Sequence, residues 1–167
     1  MAVANRKTES LPQGPLVVPG TYRVRLTVAG KSYEQPLQVA ADPRVKATQQ
    51  DLVLQFNLAK QLYDGLQRAG GAVRQIEQRR AELKQQPNPD LERKLGEIAG
   101  AARGEAEEGA AAPSGMTLRQ VSTSLSHLLG VVESADAAPT RQAVQAAQEA
   151  LKQLDTLLSK ASALGIR

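Results

Sequence analysis

Tyr22, Val24, Leu26 and Val28 alternate with Arg23, Arg25 and Thr27. Successive side chains of a strand point to opposite faces, so this spacing predicts a β-strand with one apolar face and one wet face. Ala29-Gly30-Lys31 follows as a turn, and Gly30 can take the positive φ that a tight hairpin needs. Tyr33, Leu37 and Val39 then supply the return face, with Glu34 and Gln38 opposite. Pro36 has no N–H to give to a ladder and predicts an edge position or a bulge in the second strand. Pro19-Gly20 is a turn signal that launches the first strand. A lone two-stranded hairpin is marginal in water. Its apolar face therefore needs cover from more strands, from helices or from another chain.

After Asp42-Pro43, which marks the turn out of the sheet, the period of the pattern changes. Leu52, Ala59, Leu66 and Val73 fall seven apart, and Leu62, Ala69, Ile76 and Leu83 form a second seam. Phe56 and Tyr63 widen the stripe. Thr48-Gln-Gln-Asp51 resembles a capping box and starts this helix. The register passes through Gly70-Gly71 without a phase change, so the pattern predicts one helix from about Thr48 to Gln85, on the order of 55 Å long. The two glycines weaken it by roughly 2 kcal/mol relative to alanines, and a kink is expected there. A rod of that length needs partners along most of its surface.

Gln86-Pro87-Asn88-Pro89 stops the first helix, and Asp90 is the expected cap of a second, with Leu91, Leu95 and Ile98 as its stripe. Gly104 to Gly115 reads as a flexible acidic loop. A third helix is expected from about Thr117 to Glu133, with Leu118, Val121, Leu125, Leu128, Leu129 and Val132 on one side. Pro139 suits the first turn of a fourth, from about Thr140 to Leu164. The short break between the last two predicts an antiparallel αα-hairpin. Met1 to Gln13 reads as a polar, disordered tail. The expected fold class is α+β, mainly α: a hairpin in residues 14–47, then an antiparallel bundle of three to four helices in residues 48–167.

Charge is uneven along this plan. Up to Ala47 there are seven Lys or Arg against three acids; from Thr48 there are fourteen against fourteen. The basic excess surrounds the hairpin, where it serves either an acidic partner or, as the plainer alternative, a solubilised edge strand. The start of the chain has basic residues without an apolar core segment, and does not read as a signal peptide. No apolar run is long enough to predict a membrane span.

Chemistry-bearing residues are sparse. With one His and no Cys in the chain, a transition-metal ligand set is not expected, nor any other cofactor. His127 lies off the main apolar stripe and reads as a surface residue. Ser122, Ser124 and Ser126 are too close to it along one helix to form a triad. Glu105, Glu107 and Glu108 fall in the expected loop, which would not hold two carboxyls at a fixed separation. Gly70-Gly71 lacks the lysine spacing of a phosphate loop. Arg74, Arg79, Arg80 and Lys84 make a basic helix flank, but Glu77 and Glu82 interleave and stacking aromatics are missing, so no nucleic-acid partner is expected.

The run GPLVVPGTYRVRLTVAGKSYEQPLQV, the DPRV at Asp42 to Val45 and the LLGVVESADAAPTRQAV at Leu128 to Val144 resemble the C-terminal region of bacterial sortilin-like, Asp-box β-propeller proteins. Proteins of that family are often labelled glycosyl hydrolases. The resemblance implies that the hairpin is the last one of an immunoglobulin-like sandwich and that the helices close the chain. It also implies an exported bacterial parent, secreted or periplasmic, with its signal upstream. Neither a propeller repeat nor a complete sandwich lies within this sequence, and a hydrolase activity would belong to the parent.

Three roles follow. The chain is a non-catalytic accessory segment of a larger propeller protein, partnered by the rest of that protein. Alternatively, it is a standalone helical adaptor that binds a protein partner, or a second copy, through the hairpin edge or the long helix. As an enzyme it would depend on His127. The candidate interaction surface comprises Tyr22, Arg23, Val24, Arg25, Leu26, Tyr33 and Leu37.

Overall fold

The computed structural model describes residues 14–100 and 115–166. The expected tail, and all but the last residue of the expected acidic loop, lie outside these. Among the described residues two strands, β1 (Gly20–Val28) and β2 (Lys31–Val39), precede four helices: α1 (Gln49–Leu83), α2 (Pro89–Ala99), α3 (Leu118–Val132) and α4 (Arg141–Ala163). The fold is α+β and mainly helical, with one antiparallel two-stranded hairpin.

The hairpin closes through a two-residue turn, with Ala29 at φ 48° and Gly30 at φ 78°. Positive φ at both central positions is the type I′ geometry, whose twist matches that of the flanking strands. Glycine suits the second position; Ala29 accepts a strained one, at roughly 1 kcal/mol. Pairing then runs without interruption from Val28–Lys31 to Gly20–Val39. Pro36 sits opposite Arg23 in an unbulged ladder. Counting from the turn, this is a non-hydrogen-bonded pair, so the position of the missing N–H faces outwards. Pro36 thus marks an edge and not a bulge.

Asp42 ends the sheet by an Asx turn. Its carboxylate accepts from the backbone N–H of Arg44 (2.9 Å) and from the same residue's guanidinium (2.6 Å). Six residues after Asp42, Thr48 opens α1 with a capping box: its hydroxyl accepts from Asp51 N, and Asp51 accepts from Thr48 N. α1 continues through Gly70-Gly71 without a break. Ala69, Ala72 and Ile76 are buried on either side of the pair, and their packing holds the helix together there.

Two expected helix starts are corrected. Asn88, not Asp90, caps α2: its side chain accepts from Leu91 N at 3.1 Å, and Pro89 occupies the first helical position. Proline is favoured at that position because its N–H would be unpaired anyway. At α4 the proline falls outside the helix, since Thr140 is the cap and accepts from Ala143 N at 3.1 Å.

The core lies among α1, α3 and α4. Leu62, Ile76, Leu118, Val121, Leu125 and Leu154 are fully buried there, and Ala59, Ala69, Ala147 and Ala161 bring the helix backbones close. At Gly65 the approach is close: a Cβ would stand 2.8 Å from Leu151 and 3.2 Å from Leu125. α3 runs antiparallel to α1, as the bond from Gln55 near the start of α1 to Val132 at the end of α3 requires. The α2 residues Leu95, Ile98 and Ala99 join the same core. Gly100 ends α2 at φ 83°, so close to Thr117 that a Cβ would meet its hydroxyl oxygen at 2.5 Å. α4 finishes in a Schellman turn: Gly165 N donates to Ser162 O, Ile166 N donates to Ala161 O, and Ile166 is buried.

Candidate functional site

The hairpin stands clear of this core. Among the described residues no Cα of either strand comes within 8 Å of a helix Cα, and at the root Val39 of β2 faces α1 across a cleft. Val24 is 50% exposed, Leu26 60%, Tyr33 59% and Leu37 49%. Pairing sets Tyr22 beside Leu37 and Leu26 beside Tyr33, so these side chains form one continuous apolar face, interrupted only by Gln35 beside Val24. An exposed apolar face of this kind marks an interaction surface in a folded protein.

The other face is polar. Arg25 donates to Glu34 through Nε (2.6 Å) and pairs with it through Nη2 (2.5 Å), and Arg23 reaches the same carboxylate at 3.5 Å. Thr21 bonds Gln38, and Thr27 bonds Ser32. The seven residues of the candidate surface therefore divide between two faces. Tyr22, Val24, Leu26, Tyr33 and Leu37 share the apolar one; Arg23 and Arg25 lie on the polar one.

At its root the hairpin is tied to the bundle by few bonds. Leu16 N donates to Glu133 (2.8 Å) and Gln49 Nε2 donates to Pro19 O (3.2 Å), while the Tyr22 hydroxyl donates to Val18 O within the hairpin's own lead-in. Between them opens a cleft of about 320 Å³, lined by Leu16, Val18, Val39, Val45, Leu52 and Phe56, with Glu133 and Asp136 on its polar side. The alternation pattern did not mark this cleft, because Leu16 to Val18 belong to no period.

Gln55 organises the adjoining bundle end. It is buried, and its Nε2 donates to the carbonyl oxygens of Val132 and Ala135, both at 2.6 Å. The last carbonyls of a helix lack intrahelical partners, and Gln55 supplies one for α3. A polar residue inside the α1 stripe was the only sign of this role in the sequence.

A second, more open concavity runs between α1 and α3, past Leu66, Val73, Glu77, Arg119, Ser126 and His127. His127 is exposed. Glu77 is held by an ion pair with Arg119. The Thr123 and Ser124 hydroxyls donate to carbonyls one turn back, at Arg119 and Gln120. These are helix-internal bonds, and they turn the two hydroxyls back to their own helix. Among the described residues no group of acids and histidines could hold a metal ion, and no helix is long and apolar enough to cross a membrane.

Carboxyls displaced from their ordinary range sit at turns and helix starts. Hydrogen bonds from Arg44 lower Asp42, those from Thr48 lower Asp51, and those from Lys94 and Arg93 lower Asp90. Each is accounted for by local structure: Asp42, which also lines the cleft at the hairpin root, is held by Arg44, and Asp51 and Asp90 sit in the first turns of α1 and α2.

Comparison with protein-family models, with curated proteins and with solved structures finds no match.

Proposed function

We propose that this chain is a non-catalytic accessory segment of a larger protein, in which the hairpin completes a sheet and the helical bundle braces it. The observation that carries this reading is the apolar face of Val24, Leu26, Tyr33 and Leu37, open to solvent and uncovered by any helix. An isolated hairpin gains too little from its own pairing to maintain such a face, so further strands or another layer must cover it. The resemblance to the C-terminal region of sortilin-like propeller proteins gives the cover a form: the other strands of an immunoglobulin-like sandwich. The test is the size of the native molecule, read by immunoblot of source-cell fractions with an antibody against the bundle. A band far larger than a 167-residue chain, in an exported fraction, supports the accessory role. A band of that chain's own size in the cytosol contradicts it.

Docking as a standalone adaptor is the second reading, favoured by the unpaired backbone along both hairpin edges. Pull-down of the tagged chain at low salt tests it, and recovery of the chain alone argues against it.

A further inference from the structure

We propose that the hairpin accepts a third strand at the free edge of β1 and not at that of β2, and that the incoming strand alternates apolar with acidic residues. The proposal rests on the unfinished sheet described above and adds to it an edge and a partner chemistry.

The edge follows from the register. A two-residue turn makes Val28–Lys31 a hydrogen-bonded pair, so Thr27–Ser32, Arg25–Glu34, Arg23–Pro36 and Thr21–Gln38 point their backbone groups outwards. Along β1 every outward position keeps its N–H. Along β2 the run is broken by Pro36, which has no donor and whose ring stands where the next strand would lie. One edge is thus a complete template, and the other is blunted.

The chemistry follows from charge. Side chains of Arg23 and Arg25 are 75% and 64% exposed, and both turn to the single carboxylate of Glu34. A strand added to β1 places its own side chains roughly 4.5–5.5 Å from those of Arg23 and Arg25, where acidic residues pair favourably. On the opposite face the same strand meets Tyr22, Val24 and Leu26, where apolar residues gain cover. A second copy paired about the strand's centre fits poorly. Antiparallel pairing of two β1 strands about Val24 sets Arg23 of one copy against Arg25 of the other, twice over, and like charges directly opposite destabilise a sheet.

The test uses the full chain and a fluorescent peptide of β1's own length, nine residues, alternating valine and glutamate. A control peptide carries lysine in place of glutamate. At low salt the glutamate peptide is expected to bind about tenfold more tightly than the control, and Arg23→Glu with Arg25→Glu is expected to reverse that order. Thr27→Pro removes an outward N–H from β1 and is expected to abolish binding; Gln38→Pro does the same to β2 and is expected to leave it intact. The charge reversal needs no proline, so it decides the matter even where Thr27→Pro disturbs the turn. Loss of binding in Gln38→Pro alone overturns the edge assignment while leaving the accessory role in place. Equal binding of both peptides, or none, overturns the partner chemistry. A concentration-dependent dimer in sedimentation, abolished by Leu26→Ser, makes a second copy the occupant and overturns the proposal.

Discussion

Gly65 and Gly71 lie on the same helix under different constraints. A Cβ at Gly65 would press on Leu151 and Leu125, whereas one at Gly71 would meet nothing within 4 Å. Overpacking a close helix approach costs about 1–3 kcal/mol, so Gly65→Val is expected to lower the midpoint of chemical denaturation by that equivalent. Gly71→Ala, free of contact, is expected to raise stability by about 0.5–1 kcal/mol through helix propensity. An unchanged or raised midpoint in Gly65→Val would refute the close approach. Gln55 makes a third residue-scale case. Gln55→Leu leaves the Val132 and Ala135 carbonyls without their donor and is expected to cost about 1–3 kcal/mol in the same assay. Beyond the polar break that Gln55 makes in the α1 stripe, neither role was legible in the sequence. Gln55 meets a carbonyl 77 residues away, and the space around Gly65 is set by leucines on two other helices. Periodicity names the residues that face inwards but not those they meet.

Helix ends carry the element-scale account. Thr48, Asn88, Thr117 and Thr140 each accept a backbone N–H from the first turn of their helix. The Thr48–Asp51 box was legible because its signature is local and sits before a long apolar period. A second box, Thr117 with Gln120, follows the same rule and escaped notice beside a glycine-rich stretch. At α2 the choice between Asn88 and Asp90 turned on Pro89, whose preference for the first helical position makes the preceding residue the cap. The Thr48–Asp51 box also sets an acid dependence. Hydrogen bonds from Thr48 depress the folded-state pKa of Asp51 below its ordinary 3.8. Its contribution is therefore present above the unfolded value and is lost as pH falls through the folded one. Thermal melts on acidification are expected to show a smaller acid-induced drop in Asp51→Asn than in the parent chain. An unchanged drop would place the acid sensitivity in Asp42 and Asp90, which shift in the same direction.

Across the whole molecule, a self-sufficient bundle carries a hairpin that is not. Leu62, Ile76, Leu125 and Leu154 are fully buried, while Leu26 and Tyr33 are as exposed as many surface residues. Both halves were legible in outline, since the change from period two near Val28 to period seven after Thr48 is a property of the sequence alone. What covers the hairpin was not legible, because cover depends on residues outside it. Strongly paired elements exchange their amides only through global opening, whereas uncovered ones exchange through local fraying. Amide hydrogen exchange on the chain by itself is therefore the most direct test of an unfinished sheet. Amides of Gly20–Val39 are expected to exchange rapidly, while those around Leu62, Ile76, Leu125 and Leu154 stay protected to the level of global unfolding. Protection of the hairpin equal to that of the bundle, in a monomer, would show that the sheet needs no further strands and would contradict the account.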